Sequence, residues 1–113
     1  MNIKDKIAVI TGAGSGIGRA LALACAREGA SIVLADIDER GMAETAALIS
    51  TPHHSQRCDV SKPGALDALA EATYARFGAA HLLFNNAGVA VAGPMWTATL
   101  DDWKWVLEIN LMG

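Results

Sequence analysis

Four glycines stand at every second position near the N-terminus, directly after a short apolar run. The run covers residues 7–10, and the glycines are Gly12, Gly14, Gly16 and Gly18. Glycine adopts backbone angles that are closed to other residues and lets the main chain approach a ligand without an intervening Cβ. A helix that begins in such a loop points its free N–H groups and its positive dipole end at the loop. The pattern favours a phosphate-binding loop for a dinucleotide, with a plain tight turn as the alternative.

A carboxylate at the end of the second apolar run gives this loop a partner. Residues 31–35 form a β-branched apolar stretch, and Asp36 follows it, 18 residues after Gly18. At this spacing in a βαβ unit, an acidic side chain reaches the ribose hydroxyls of a bound dinucleotide. An Asp at a strand end can instead cap the next helix. Because Asp38 is equally placed to do that, we expect Asp36 to stay free for the ribose.

Strands and helices alternate along the chain that must position these groups. We predict strands over residues 7–10, 31–35, 55–58 and 82–84, with a helix in each interval. The predicted apolar stripe of the first helix is Ile17, Ala20, Leu21, Ala24 and Cys25. This order indicates an α/β fold, a Rossmann-type doubly wound parallel sheet with strands in the order 3-2-1-4. The motifs that follow the four strands then share the carboxyl edge of the sheet.

Capping residues and apolar spacing set the expected helix limits. Gly29 ends the first helix, and the second has a face of Met42, Ala46 and Ile49. The third begins at a Ser61 cap with Pro63 in its first turn, carries a stripe of Leu66, Leu69, Ala70, Thr73 and Phe77, and stops at Gly78. We expect His53 and His54 in a polar loop and His81 on the approach to the fourth strand.

Composition limits the classes of protein and partner. The chain has 113 residues, is 52% hydrophobic and 19% charged, and has a net charge of −3. These values fit one domain over residues 1–113. Scattered basic residues argue against nucleic acid, and strand-sized apolar runs argue against a membrane span. Cys25 and Cys58 are interpreted as separate buried thiols of a reduced, cytoplasmic protein, and we expect no metal site.

Four motifs in order identify a family. The first glycine loop reads TGxxxGxG, with Thr11, Gly12, Gly16 and Gly18 in the motif positions. Asp59 and Val60 follow the third strand, Asn85–Gly88 spells NNAG after the fourth, and residues 110–113 spell NLMG. The chain thereby resembles the short-chain dehydrogenase/reductase family along its whole length, and NNAG is the most specific of the matches.

The resemblance implies NAD as the cofactor and assigns residues to its parts. The loop and the start of the helix are expected to bind the pyrophosphate, with the Ser15 hydroxyl as a donor. The residues are Gly12, Ser15, Gly16, Ile17 and Gly18. Asp36 binds the adenosine ribose, Asp59 and the Val60 backbone bind the adenine, and Asn86, Ala87 and Gly88 bind the ribose near the centre of the sheet. Thr11 and Asn85 tie strands together. Since neither Ser15 nor Ile37 is a cation, Asp36 predicts NAD over NADP by at least about tenfold.

The last segment carries an amide on a strongly apolar helix. A helix over residues 100–113 has two apolar faces, which indicates either a homo-oligomer interface or cover by further C-terminal sequence. Asn110 lies in one of these faces, where a buried amide must be hydrogen-bonded. It is interpreted either as a bonded core residue or, by resemblance, as the family's catalytic Asn, which bends the helix and holds a water.

The resemblance places the family's Ser, Tyr and Lys beyond Gly113, so the domain is expected to be incomplete at its C-terminus. The only tyrosine is Tyr74, and Gly78 stands four residues later, where the family has its lysine. The resemblance implies an oxidoreductase that transfers a hydride between NAD and a secondary alcohol or ketone, with residues 1–113 inactive on their own. One alternative is a stand-alone, catalytically inactive NAD-binding or dimerisation module. Another is a methyltransferase, which is disfavoured because Ile10 and Thr11 stand where an acid commonly precedes the glycines.

Overall fold

Strands and helices alternate strictly in the computed structural model, which describes residues 2–85. The elements are β1 (Ile7–Thr11), α1 (Gly16–Arg27), β2 (Ser31–Asp36), α2 (Glu39–Ala46), β3 (His53–Arg57), α3 (Ala65–Phe77) and β4 (Leu82–Asn85). All strand pairs are parallel, and the order β3-β2-β1-β4 confirms the predicted 3-2-1-4. Within the described range, no helix has the length and apolarity needed to cross a membrane.

The central strand, β1, pairs with β2 on one side and β4 on the other. Its residues run opposite Ser31–Ala35 of β2, and its last four run opposite Leu82–Asn85 of β4. All five residues of β1 are buried, as a strand covered on both faces requires. The polar member, Thr11, donates its hydroxyl to Asn85 Oδ1 at 3.0 Å. This bond confirms that Thr11 and Asn85 tie the two strands together.

Alternate side chains of the sheet enter two separate cores. Ala8, Ile10, Ile32 and Leu34 pack in one core with residues of α1 and α2, and Ile7, Val9, Val33 and Ala35 pack in the other with residues of α3. Cys25 belongs to the first core and Cys58 to the second, and both thiols are free. Burial raises the pKa of each thiol. The two cysteines are therefore separate buried thiols, as predicted.

Two helix limits are where the sequence places them. The Asp38 carboxylate caps α2 by accepting from the Gly41 N–H at 3.0 Å. Gly29 follows the end of α1 with a φ of 91°, in the left-handed region. Its N–H donates to Ala26 O, and the next N–H donates to Cys25 O, the pair of bonds that closes a helix at a glycine. Both capping predictions are confirmed.

The start of α3 is later than predicted. The helix begins at Ala65 after Gly64, which has a φ of 80°, rather than after Ser61. The Ser61 hydroxyl donates to Asp59 Oδ1, and the Ala65 N–H donates to Lys62 O, so turns fill the intervening residues. Ser61 is thus bonded backward to Asp59 instead of forward to a helix.

The polar strand β3 also differs from its prediction. It covers His53–Arg57, so His53 and His54 lie in a strand rather than in a loop. Their backbones pair with Ile32 and Val33 of β2. Main-chain ladder bonds do not require apolar side chains at the open edge of a sheet, which explains why hydrophobic patterning missed this part of β3.

The buried face of α1 is rotated from the predicted stripe. The buried residues are Gly18, Ala22 and Cys25, whereas Ile17 is 69% exposed. Leu21 and Leu23 are only partly buried against the core. The helix is apolar nearly all round, so its small residues, which allow the closest approach to the sheet, decide which face is buried.

Candidate cofactor site

Three loops meet at the carboxyl edge of the sheet. The loops follow β1, β2 and β3, whose last residues are neighbours: Thr11 pairs with Ala35, and Asp36 pairs with Arg57. This edge gathers eight of the predicted cofactor residues: Gly12, Ser15, Gly16, Ile17, Gly18, Asp36, Asp59 and Val60. The other predicted site residues, Asn86, Ala87, Gly88 and Asn110, lie outside the described residues.

The glycine loop turns sharply, so that the first turn of α1 packs against the first residue of the loop, Gly12. Gly12 and Gly16 have φ values of 65° and 56°, in the left-handed region that favours glycine. Gly18, in the first turn of α1, packs so closely on the loop that a Cβ there would overlap the Gly12 carbonyl oxygen. These glycines shape the protein itself, in addition to leaving room for a ligand.

The N-terminus of α1 is open at this edge. Ser15, the cap residue, is exposed, and its side chain makes no capping bond. The Arg19 N–H donates to Ser15 O at 3.3 Å, so the N–H groups of residues 16–18 precede the first full helical bond. Gly16 and Ile17 are exposed as well. The free N–H groups and the helix dipole suit an anion, and the dipole contributes about 0.3–2 kcal/mol.

The Asp36 carboxylate is bonded to backbone on both oxygens. Oδ2 accepts from the Gly14 N–H at 2.8 Å, and Oδ1 accepts from the Asp38 N–H at 3.0 Å. Asp38, and not Asp36, caps α2 as expected, but Asp36 is bonded to backbone elsewhere, because the glycine loop crosses directly against the end of β2. A Cβ on Gly14 would lie 2.8 Å from Oδ2. Since a carboxylate has about four lone-pair sites, each oxygen retains capacity for one further donor.

Two residues that sequence reasoning did not select bind the same loop. Arg19 is partly buried, and its Nη2 donates to the Gly14 carbonyl at 2.6 Å. The fully buried Thr45 of α2 donates its hydroxyl to the Ala13 carbonyl at 2.8 Å and accepts from Arg19 Nε at 2.8 Å. The available signal was Thr45 itself, a polar residue at helical spacing between the buried Met42 and Ile49.

Asp59 forms a small turn of its own after β3. Its Oδ1 accepts from both the N–H and the hydroxyl of Ser61. These two bonds lower the pKa of Asp59, with smaller contributions from the charges of Lys62 and Arg57. The carboxylate is ionised at neutral pH and remains partly exposed. The next residue, Val60, is buried in the α3 core.

Known proteins match the chain in sequence and in structure. The model of the short chain dehydrogenase family matches residues 6–113. D-threitol dehydrogenase of Mycolicibacterium smegmatis is 40% identical over 114 residues, which are 98% of this chain and 44% of that protein.

Two solved structures share the fold. A short chain dehydrogenase/reductase from Burkholderia phymatum in complex with NAD has a TM-score of 0.72 and 41% identity, covering 99% of this chain and 41% of that one. A 3-ketoacyl-(acyl-carrier-protein) reductase from Brucella melitensis complexed with NADH has a TM-score of 0.68 and 37% identity, covering 72% of this chain and 33% of that one.

The chain spans less than half the length of the curated relatives it matches. The family model nevertheless covers nearly all of this chain, including the glycine loop and the residues after β2 and β3. This match overturns the methyltransferase alternative. The chain belongs to the short-chain dehydrogenase family.

Proposed function

We propose that the protein is an NAD-dependent oxidoreductase that transfers a hydride between NAD and a secondary alcohol or ketone. One observation carries the proposal: the open N-terminus of α1 and the Asp36 carboxylate follow neighbouring strands at one edge of the sheet. The first offers N–H donors to a pyrophosphate, and the second offers acceptors to ribose hydroxyls. The solved relatives that contain NAD or NADH support this choice of cofactor class.

The residues present fit such a cofactor. The loop from Gly12 to Gly18, with the Ser15 hydroxyl, would hold the pyrophosphate, and Asp36 would hold the adenosine ribose. The Asp59 carboxylate and the Val60 backbone would contact the adenine. When bound, NAD supplies the atom that accepts or donates the hydride.

The remaining roles are proposed from the family resemblance. Residues 86–88 would hold the ribose near the centre of the sheet, and Asn110 would hold a water that links to the lysine that the resemblance places beyond residue 113. Tyr74 is not a candidate for the proton-transferring tyrosine. It lies on α3, and the residue four positions later, where the family has its lysine, is Gly78. We therefore propose that residues 1–113 alone transfer no hydride.

NAD is proposed over NADP because of the Asp36 charge. A carboxylate about 4 Å from a 2′-phosphate repels it by roughly 1–4 kcal/mol per unit charge, depending on the local dielectric. The variant Asp36→Asn keeps an oxygen that can accept from Gly14 but removes the charge. Titration of the wild type should show that NAD binds at least about tenfold more tightly than NADP. Asp36→Asn should reduce this difference in affinity between the two cofactors. Glu39→Gln, which neutralises an exposed acid on α2, is the matched control.

The activity is tested on the full natural protein with NAD and a panel of secondary alcohols, by following formation of reduced nicotinamide. Turnover in the full protein, together with NAD binding but no turnover by residues 1–113, is the expected result. NAD binding without turnover by the full protein would favour a catalytically inactive module. Equal binding of NAD and NADP would overturn the cofactor assignment.

The segment 100–113, for which the sequence predicts a helix, is proposed as the contact between copies of the chain in a homo-oligomer. Its two apolar faces support this proposal, because one face is enough to cover the helix's own sheet. Light scattering of the full natural protein tests it, with Trp105→Glu as the variant. A monomeric wild type would contradict the proposal.

A further inference from the structure

Arg19 binds two different elements from its place in the first turn of α1. Its Nη2 donates to the carbonyl oxygens of Gly14, at 2.6 Å, and Gly41, at 3.2 Å. Its Nε donates to Thr45 Oγ1 at 2.8 Å. The planar guanidinium presents several donors in fixed directions, which a single ammonium group does not. Arg19 therefore connects the cofactor loop to α2 by three bonds that depend on its shape as well as its charge.

The peptide group between Ala13 and Gly14 is held at both ends. Its carbonyl oxygen accepts from the Thr45 hydroxyl at 2.8 Å, and its N–H donates to Asp36 Oδ2 at 2.8 Å. The next carbonyl, that of Gly14, accepts from Arg19. Any rotation of the Ala13–Gly14 peptide that breaks the bond to Thr45 also moves the N–H that orients the Asp36 carboxylate, and Arg19 holds the peptide that follows it.

The orientation of Asp36 matters because its remaining lone pairs are the acceptors proposed for the ribose hydroxyls. Any larger residue at position 14 would clash with its neighbours, since a Cβ there would lie 2.8 Å from Asp36 Oδ2 and 3.2 Å from the Met42 backbone N. The loop, Asp36 and α2 thus form one tightly packed unit. The side chains of Arg19, from α1, and Thr45, from α2, bind the backbone of this unit.

We propose that Arg19, acting through Gly14 and Thr45, is a positioning residue that orients the Asp36 carboxylate and so sets the preference for NAD over NADP. The inference rests on the proposed function, because it requires Asp36 to contact the ribose. Arg19 acts on the cofactor through the loop rather than by touching it. Its removal should change the selectivity of binding as well as the affinity.

The test measures dissociation constants for both NAD and NADP on the full natural protein. Arg19→Gln removes the three-way contact, and Thr45→Val removes the hydroxyl while keeping the side-chain volume. Both variants should weaken NAD binding by about tenfold. NADP binding should weaken less. The ratio of the Kd for NADP to the Kd for NAD should therefore fall at least about threefold. Thr45→Ser, which keeps the hydroxyl, should retain the wild-type ratio.

Controls separate positioning from general destabilisation. Arg27→Gln removes the same charge from the exposed last turn of the same helix and should leave the ratio unchanged. All titrations are made well below each variant's Tm. If Arg19→Gln does not fold, Arg19→Lys takes its place, and its single ammonium group should also lower the ratio.

Each outcome has one interpretation. A fall in the ratio for the Arg19 and Thr45→Val variants supports positioning. Equal weakening of NAD and NADP, or no change in either, overturns it, because a merely structural role lowers Tm without changing selectivity. A wild type that binds no NAD overturns the proposed function itself, and that result is obtained before any variant is made.

Discussion

Two loops at the same edge of the sheet are held in opposite ways. The loop after β1 is bonded by distant side chains: Gly14 to Asp36, 22 residues away, and Ala13 to Thr45, 32 residues away. The loop after β3 is closed by its own neighbours, since Asp59 accepts from Ser61, two residues on. The first loop therefore depends on the assembled fold, whereas the second depends on local sequence.

The burial of the bonded side chains determines how much free energy the loss of each bond costs. Thr45 is fully buried, and a buried polar group left without a partner costs roughly 1–3 kcal/mol. Ser61 is exposed, so water replaces any bond that it loses. Substitutions around the first loop should therefore change the free energy of unfolding more than substitutions in the second.

The largest effect is expected for Gly18→Ala. The added Cβ would overlap the Gly12 carbonyl oxygen, so the start of α1 would have to move away from the loop, at a cost of about 3 kcal/mol. Gly16→Ala is the matched control, because its Cβ would meet nothing within 4 Å and only the left-handed φ of 56° is strained. That strain costs roughly 1–2 kcal/mol. Urea unfolding measures both, and equal losses would contradict the close packing at Gly18.

A smaller loss is expected for Thr45→Val. The change leaves the Ala13 carbonyl and Arg19 Nε without their partner and should lower the free energy of unfolding by about 1–3 kcal/mol. Thr73→Val is the control, because Thr73 is equally buried but donates only to Leu69 O in its own helix. Leu69 O keeps its helical N–H donor, so the control should cost less than about 1 kcal/mol. Equal losses in denaturant titrations would remove the distinction between distant and local bonds.

The smallest effect is expected in the second loop. Of the three variants, Ser61→Ala should lower the free energy of unfolding at neutral pH the least, while the pKa of Asp59 rises toward its ordinary value, because the Ser61 hydroxyl is the main cause of its lowering. A lowered pKa stabilises the folded state at neutral pH and loses that effect on acidification, so the variant should also be less sensitive to acid. NMR titration of the Asp59 carboxyl measures the shift, and an unmoved pKa would contradict the local closure of this loop.

The sequence predicted the features that short-range patterns encode. The apolar runs located the cores of β1 and β2, and the caps at Asp38 and Gly29 followed from residue type and position. The strand order followed from the alternation of strands and helices together with the glycine loop. Each of these depends on a few neighbouring residues.

Features that depend on contacts between distant elements were missed or misplaced. Arg19 was not selected from the sequence, because spacing does not show that its side chain reaches Gly41 and Thr45. The bond from Gly14 to Asp36 was missed, because nothing in the spacing shows how closely Gly14 crosses it. The site residues from Asn86 onward stay predictions.

The position of β1 between β2 and β4 gives its two pairings different entropic costs of chain closure. Ala8 pairs with Ile32 on one side and with Leu82 on the other, and closing the longer connection costs ~1 kcal/mol more in chain entropy. Asp36 and Thr45 leave the ribosome before β4 does, so the cofactor loop can take its shape on an incomplete sheet. Until Leu82–Asn85 has been synthesised, one edge of β1 stays open to pairing with another chain, and aggregation is the hazard of that interval.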